Sequence, residues 1–270
     1  MSKKHLAGLV AVIFGASLLC GCSSSAPQQD SQISTTVEPT PAAPDYETQI
    51  KLLAERSEEW NQDDGVLPYY YHQYTVTDLD WNGRLEILAM STQGTGIFTY
   101  GTIYQVCQDL TGLELCTYLG DDGCSLPEMI MDFVPAGYNP DSGTYHYVFK
   151  DDFRAGAAEY GQVIMPLYLK DGVATFQTLG RMHAQVTDGV TQEEYYRAKA
   201  PFVAQKGDVL TKDFLRNYQP ITPEAYENLI PEYLTTLQDF TANFEWFQVE
   251  GSVDTATLTK SWEVFRSSLG

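Results

Sequence analysis

The chain has 270 residues, with 16 Lys and Arg side chains against 36 Asp and Glu, and its formal net charge is −20 at pH 7. A field of this sign repels nucleic acids and anionic lipid head groups, so neither is an expected partner. With 43% hydrophobic and 13% aromatic residues, the chain has ample material for a buried core, which excludes a fully disordered protein.

The N-terminus has the three parts of a secretory signal. Two lysines come first, an apolar run over residues 6–19 follows, and the small residue Gly21 precedes Cys22. The apolar run is shorter than the roughly 20 residues that a membrane-spanning helix needs. The pattern therefore predicts a signal peptide over residues 1–21 that is cleaved before Cys22.

The cleavage site Leu19-Cys20-Gly21-Cys22 resembles the bacterial lipobox. In that motif a leucine lies three residues before the cysteine that receives a diacylglyceryl thioether, and a small residue lies directly before it. Cys20 is uncommon at the middle position. The resemblance implies a lipoprotein whose lipidated Cys22 inserts into a cell membrane and holds the protein on the extracytoplasmic side, since several acyl chains attach more stably than one.

Residues 23–44 are rich in Ser, Thr, Pro, Ala and Gln and contain almost no large apolar residue. Such a tract cannot bury enough surface to offset its chain entropy. Residues 22–44 are therefore predicted to be a lipidated cysteine followed by a disordered linker. Residues 45–270 are predicted to form a single ectodomain.

The ectodomain begins with a helical pattern and continues with strands. A first helix is predicted over about residues 46–61, with Asp45 as its N-cap, because apolar side chains recur there at helical spacing. From about residue 70 to residue 186 the pattern changes to alternating strands, separated by short turns such as Asp171-Gly172. Turns this short join neighbouring antiparallel strands.

Helical patterns return in the last third of the chain. A capping box over residues 191–194 predicts one helix, Thr222 followed by a proline predicts the start of a second, and Asp254 predicts the start of a last one. The apolar stripe over residues 226–240 would form one face of the second helix, which Pro231 is expected to kink or divide. We therefore predict an α+β fold, in which the N-terminal helix and the C-terminal helices pack on an antiparallel, meander-like sheet.

Cys107 and Cys116 flank the turn signal Thr111-Gly112. If those two residues form a two-residue hairpin turn, the cysteines lie opposite each other at a non-hydrogen-bonded pair. The α-carbons of such a pair are about 4.5 Å apart, within disulfide reach. The register favours a Cys107–Cys116 disulfide. Free thiols, or a bond that uses Cys124, are the alternatives, because one more residue in the turn changes the register.

The stretch from Asp78 to Glu86 places oxygen-bearing side chains at alternate positions, with Gly83 to turn the chain. Such oxygens suit a hard cation such as calcium, which takes about six to eight oxygen ligands. An EF-hand is disfavoured, because Ala89 stands where that loop needs a bidentate glutamate.

The same stretch resembles the strand-loop-strand calcium loops of integrin-type propeller repeats, although it occurs once and implies no propeller. The resemblance implies a calcium site with five ligand residues: Asp78, Asp80, Asn82, Arg84 through its carbonyl, and Glu86. The alternative is a plain hairpin with a two-residue turn at Asn82-Gly83, which would divide the acids between the two faces of the sheet.

Residues 76–86, of sequence VTDLDWNGRLE, and the Gly-Thr-Gly stretch at residues 94–96 also resemble a group of uncharacterised surface lipoproteins of Gram-positive anaerobes. That resemblance implies a location and a fold, not a reaction. The Gly-Thr-Gly stretch lacks the third glycine of a dinucleotide loop, and the chain has no Gly-x-x-x-x-Gly-Lys phosphate loop. No nucleotide is therefore expected.

Catalytic motifs are scarce in this sequence, which contains neither Gly-x-Ser-x-Gly nor His-Glu-x-x-His. His72, His146 and His183 are isolated in strand-like settings, which is typical of structural histidines. The sequence therefore favours a tethered binding or accessory module, with Tyr and Trp side chains as stacking surfaces for a cell-wall or dietary glycan, or with another envelope partner. The alternative is an envelope hydrolase that uses two carboxylates.

The lipobox predicts fatty acylation at Cys22. In cells fed a fatty-acid probe, the wild-type protein is expected to take up label and to partition with membranes. Cys22→Ala is expected to lose both properties because the thioether acceptor is gone. Cys20→Ala is the matched control, since Cys20 would leave with the signal peptide. Undiminished labelling of the Cys22→Ala protein would contradict the assignment.

Overall fold

The computed structural model describes residues 45–61, 71–93, 98–119, 129–154, 158–202 and 216–269. The predicted signal peptide, Cys22 and the linker lie outside these residues, as does Cys124. The described segments all belong to one compact unit, residues 42–270. None of their helices has both the length and the apolar character needed to cross a membrane.

The described helices lie near the two ends of this unit. They are α1 (Tyr46–Glu55), α2 (Ser57–Trp60), α3 (Pro223–Glu227), α4 (Leu229–Leu234) and α5 (Thr255–Arg266), followed by a 3-10 turn (Ser267–Leu269). Asp45, Thr222 and Asp254 cap α1, α3 and α5 as predicted. Each side chain accepts a hydrogen bond from the backbone N–H three residues later, at 3.0, 3.2 and 2.7 Å respectively.

A small antiparallel sheet forms from the first strands in chain order. Its members are β1 (Tyr71–Thr77), β2 (Glu86–Gln93), β3 (Phe98–Val106) and β4 (Leu113–Leu115). Each strand pairs with the next, and the β1–β2 register places Thr77 opposite Glu86. Its connectivity is that of a meander, but it covers only part of the strand region predicted over about residues 70–186, whose other strands lie in a second sheet.

The remaining strands form a second, larger sheet. They are β5 (Thr117–Leu119), β6 (Phe133–Asn139), β7 (Thr144–Arg154), β8 (Glu159–Lys170), β9 (Val173–Phe176), β10 (Thr178–Thr187), β11 (Val190–Phe202), β12 (Tyr218–Ile221) and β13 (Gln238–Asn243). The main order is β12-β11-β10-β8-β7-β6-β13, and β9 pairs with both β8 and β5. All described pairings are antiparallel except β5 with β9. The predicted α+β class is confirmed, with sheets as its larger part.

The large sheet buries apolar side chains on both faces. Tyr147 and Phe149 of β7 join the main core, which also contains side chains of the small sheet, α1 and α5. Val148, between them, points to the other face and joins a second core under α3 and α4. Because successive strand residues alternate in direction, β7 contributes to both cores.

The helix predicted from the capping box at residues 191–194 is wrong, because these residues lie within β11. β10 and β11 are joined by Asp188 and Gly189, with φ values of 53° and 76°. Two left-handed residues in an Asp-Gly turn match the twist of a two-residue hairpin. Pairing of β11 with β10 and β12 overrides the local helical signal.

The predicted long helix over residues 226–240 is also wrong in part. α3 ends before Asn228, α4 ends at Leu234, and Phe240 lies in β13 beside β6. The helical stretch is divided at Asn228 and not at Pro231, which is the third residue of α4, where a missing N–H breaks no helical hydrogen bond. Strand pairing with β6 takes Phe240, the last residue of the apolar stripe, out of the helix.

Gly180 in β10 lies where α4 approaches the large sheet. A β-carbon there would overlap with Leu229 Cδ1 and would lie 2.7 Å from the carbonyl oxygen of Tyr196. The leucine methyl can move, but the paired strand carbonyl can move much less. We expect Gly180→Ala to lower the free energy of unfolding by about 1–3 kcal/mol in urea titrations.

The matched control is Gly112→Ala, because a β-carbon at Gly112 would meet nothing within 4 Å. Its unfolding free energy is expected to stay within about 0.5 kcal/mol of wild type. Equal stability of the two variants would show that close packing at Gly180 is not a constraint.

Candidate cation site

The β1–β2 loop, residues 78–85, is wider than a two-residue hairpin. A plain Asn82-Gly83 turn would pair Trp81 with Arg84, but the observed register ends with Thr77 opposite Glu86. Trp81 and Gly83 both take left-handed backbone conformations, with φ values of 52° and 87°. The plain-hairpin alternative is therefore wrong, and the loop has room to turn side chains inward.

Three carboxylates converge at this loop. One oxygen each from Asp78, Asp80 and Glu86 lie within 4.8 Å of one another. Asp78 and Glu86 are fully buried, while Asp80 is half-buried. A cluster with this spacing could hold a metal ion, which confirms the grouping of these three predicted ligands.

Asp78 has one oxygen engaged and one oxygen without a donor. Its Oδ2 accepts hydrogen bonds from the Gly83 N–H at 2.9 Å and from the Tyr46 hydroxyl at 3.5 Å. Its Oδ1 is buried and has no hydrogen-bond partner. Burying a carboxylate oxygen without a hydrogen-bond partner costs free energy, so this atom is available to bind an ion.

Glu86 is held in place by three donors. Its Oε2 accepts from the Leu79 N–H at 2.6 Å and from the Thr77 hydroxyl at 3.3 Å, and its Oε1 accepts from Gln105 Nε2 at 2.6 Å. The acid at the start of β2 therefore fixes the first residues of the loop. These three hydrogen bonds fix the orientation of the Glu86 carboxylate.

The other two predicted ligands form contacts within the loop. Asn82 donates from Nδ2 to Asp80 at 2.9 Å, and its Oδ1 accepts from the Arg84 N–H at 2.8 Å. The Arg84 guanidinium pairs with Glu114 at 2.8 Å, beyond the loop. Ligation by Asn82 and by the Arg84 carbonyl stays a prediction.

Burial and mutual repulsion dominate the electrostatics of the cluster. Burial, with the nearby charge of Asp80, raises the pKa of Asp78 to about 7. Burial also raises the pKa of Asp80, and it raises the pKa of Glu86 well above its usual range, with further contributions from Asp78 and Asp80. The charged forms are disfavoured because low-dielectric surroundings and like charges act in the same direction.

Sequence reasoning missed the residues that support the loop from outside. Gln49 of α1 bonds to the loop backbone at two points, and Gln105 of β3 bonds to Glu86. Trp81 stacks on Phe265 of α5 with ring centroids 5.4 Å apart. The one available signal was Gln49 itself, a polar residue at helical spacing from Tyr46 on the apolar face of α1.

The predicted Cys107–Cys116 disulfide is wrong. Cys107 donates its N–H to the Gly112 carbonyl at 2.9 Å, and Cys116 donates to the Ile103 carbonyl at 2.8 Å, so the two residues are not opposite each other. The turn is wider than two residues, with Leu110 at a φ of 58°. Both thiols are free. The alternative bond through Cys124 lies outside the described residues.

The three described histidines lie on different strands, and His146 and His183 form their hydrogen bonds away from the carboxylate cluster. His72 is half-buried in β1, and His183 Nε2 lies 2.9 Å from Glu159 Oε1. His146 is buried, with Nε2 2.8 Å from Thr144 Oγ1 and Nδ1 2.6 Å from the Tyr233 hydroxyl. Because Thr144 is buried too, His146 has no accessible nucleophile in this contact, and its network fits a structural role.

Comparison of the chain with family models, with curated proteins and with solved structures found no match. A fold alone does not identify a function, which has to come from the geometry of a site. Among the described residues, the carboxylates of Asp78, Asp80 and Glu86 are the group that could hold a metal ion.

The buried His146 predicts how the stability of the fold depends on pH. Burial lowers its pKa from 6.5 to about 4, so folding favours the neutral ring. Its stabilising contribution is complete above about pH 6.5 and is lost as the pH falls towards 4. Between pH 7 and pH 5, the wild type is expected to lose about 2 kcal/mol relative to His146→Gln in urea titrations.

The comparison with His146→Gln is its own control, because every other titratable group is common to the two proteins. A wild-type stability that stayed parallel to that of His146→Gln across the range would contradict burial of a neutral imidazole.

Proposed function

We propose that this protein is a lipid-anchored, extracytoplasmic binding or accessory module whose folded unit binds a calcium ion in the β1–β2 loop. The signal pattern and the lipobox cysteine Cys22 support the anchor and the location. The observation that most supports a bound ion is the environment of Asp78 Oδ1. This oxygen is buried without a hydrogen-bond donor, beside two further carboxylates.

A cation offsets the main cost of this arrangement. Two unit charges 4.8 Å apart repel by about 3.5 kcal/mol at an effective dielectric constant of about 20. Three such charges cannot all be ionised in a buried site without compensation. A divalent ion among them replaces repulsion with attraction and gives Asp78 Oδ1 its missing partner.

The chemistry of the donors favours calcium among divalent ions. The cluster offers carboxylate oxygens only, whereas zinc prefers nitrogen and sulfur ligands. Asn82 Oδ1 keeps a second lone pair beside its bond to the Arg84 N–H. A wide loop with side-chain and backbone oxygens suits the about six to eight ligands of calcium better than the strict octahedron of magnesium.

The geometry of this cluster differs from that of the active site of a two-carboxylate hydrolase. Glycosidases hold their carboxyl groups about 5 to 9.5 Å apart on either side of a sugar. Asp78 and Glu86 are fully buried, and one oxygen of each lies within 4.8 Å of the other, so a sugar has no access to the space between them. The geometry therefore favours an ion over a substrate.

A glycan partner stays a prediction from composition. Of the large hydrophobic side chains that are exposed in the described segments, only Phe133 is aromatic. The half-buried rings of Trp81, Tyr145 and Tyr138 are neighbours, but successive planes are tilted by 46° and 42°. Tilted rings do not form the flat platform on which a sugar stacks.

Calcium binding is tested by titration calorimetry and by unfolding in chelator or in calcium. With a Kd of about 10⁻⁴ to 10⁻³ M, calcium at about 1 mM would stabilise the wild type by roughly 0.4 to 1.4 kcal/mol. Asp78→Asn is expected to lose this response. In chelator at pH 8 it should be at least as stable as wild type, because the amide removes one buried charge.

Asp141→Asn is the matched control, since Asp141 is an exposed acid in a turn of the large sheet. It removes the same charge from the surface and is expected to keep the full calcium response. A wild type with no binding heat and no calcium-dependent stability would refute the site.

A further inference from the structure

We infer that Gln49 of α1 is a positioning residue of the calcium site, an inference that rests on the proposed function above. Its side chain is 2% exposed. Nε2 donates to the Gly83 carbonyl at 2.8 Å, and Oε1 accepts from the Leu85 N–H at 2.7 Å. One amide therefore bridges the residues before and after Arg84, whose carbonyl is a predicted ligand.

The bond to Leu85 orients that carbonyl. The Leu85 N–H and the Arg84 C=O belong to one peptide unit, which is trans and planar. Because the two groups of a trans peptide point in opposite directions, bonding the N–H to Gln49 turns the Arg84 oxygen away from α1. Without Gln49 this peptide unit would lose the hydrogen bond that orients it, and part of the ordering of the carbonyl would then have to accompany ion binding.

The bond from Gln49 to Gly83 also links Gln49 to Asp78, because Gly83 bonds to both side chains. The Gly83 carbonyl accepts from Gln49, while its N–H donates to Asp78 Oδ2 at 2.9 Å. That second bond fixes the carboxylate and leaves Oδ1 without a donor. Gly83 has a φ of 87°, a conformation that side-chain-bearing residues rarely adopt. Gln49 therefore positions Gly83, whose N–H donates to the Asp78 carboxylate.

Helix docking does not by itself require an amide at this position. Ile50 and Leu53, the apolar neighbours of Gln49 on α1, are buried in the main core. A polar side chain buried beside them is costly unless it is hydrogen-bonded, and Gln49 meets that condition at the loop backbone. Supporting residues of this kind typically change metal affinity by about 10- to 100-fold when they are replaced.

The test compares calcium Kd values for the purified wild type and variants by titration calorimetry with calcium chloride. Gln49→Met keeps the length and helix propensity of the side chain but removes both hydrogen bonds. Its Kd is expected to rise by about tenfold or more. Ile50→Ala is the matched control on the same helix. It should lose stability through apolar packing and keep the wild-type Kd, because it leaves both hydrogen bonds intact.

Gln49→Asn is the second variant, for the case that Gln49→Met does not fold. It keeps the amide but is one methylene shorter, so it cannot reach both backbone groups, and its Kd is also expected to rise. Wild-type Kd values in the folded Gln49 variants, or an equal rise in Ile50→Ala, would overturn the positioning role. A wild type that binds no calcium would instead overturn the site itself.

Discussion

Burial of the Asp78 and Glu86 carboxylates beside half-buried Asp80, at the β1–β2 loop, is the constraint on which the surrounding structure depends. Asp78 and Glu86 are fully buried, and donors from Gly83, Leu79 and Gln105 each meet one of their oxygens. These donors reduce the cost of burying the charges but do not remove the repulsion between them. The three carboxylates could therefore hold a positively charged ion, and Asp78 Oδ1 is a buried oxygen without a hydrogen-bond donor.

The same loop connects the main parts of the fold. Tyr147 of the large sheet donates its hydroxyl to the Leu79 carbonyl at 2.9 Å, and Trp81 donates to that hydroxyl at 3.3 Å. Trp81 also stacks on Phe265 of α5, while Gln49 reaches the loop from α1. An ion that orders the loop would thus stabilise contacts to both sheets and to both ends of the described chain. This is why the expected effect of calcium is on stability as well as on binding.

Two buried polar networks in this protein have different physical characters. The His146 network is neutral, and Thr144 and Tyr233 occupy both ring nitrogens, so it needs no ligand. The Asp78 network combines several acids with an oxygen that has no donor. A satisfied network specifies a core, whereas an incomplete and charged one indicates a binding site.

The sequence by itself determined what depends on residues close together in the chain: the caps at Asp45 and Asp254, the strand alternation, and the acids that converge at Asp78 and Glu86. Hydrogen bonds to N–H groups three residues away and ligands at alternate positions can be recognised without knowing the fold. Only the tertiary structure decided the register at Cys107, the strand in place of a helix at residues 191–194, and the contact from Gln49. Strand pairing and burial join residues that are far apart in sequence, and their free energy outweighs a short local signal.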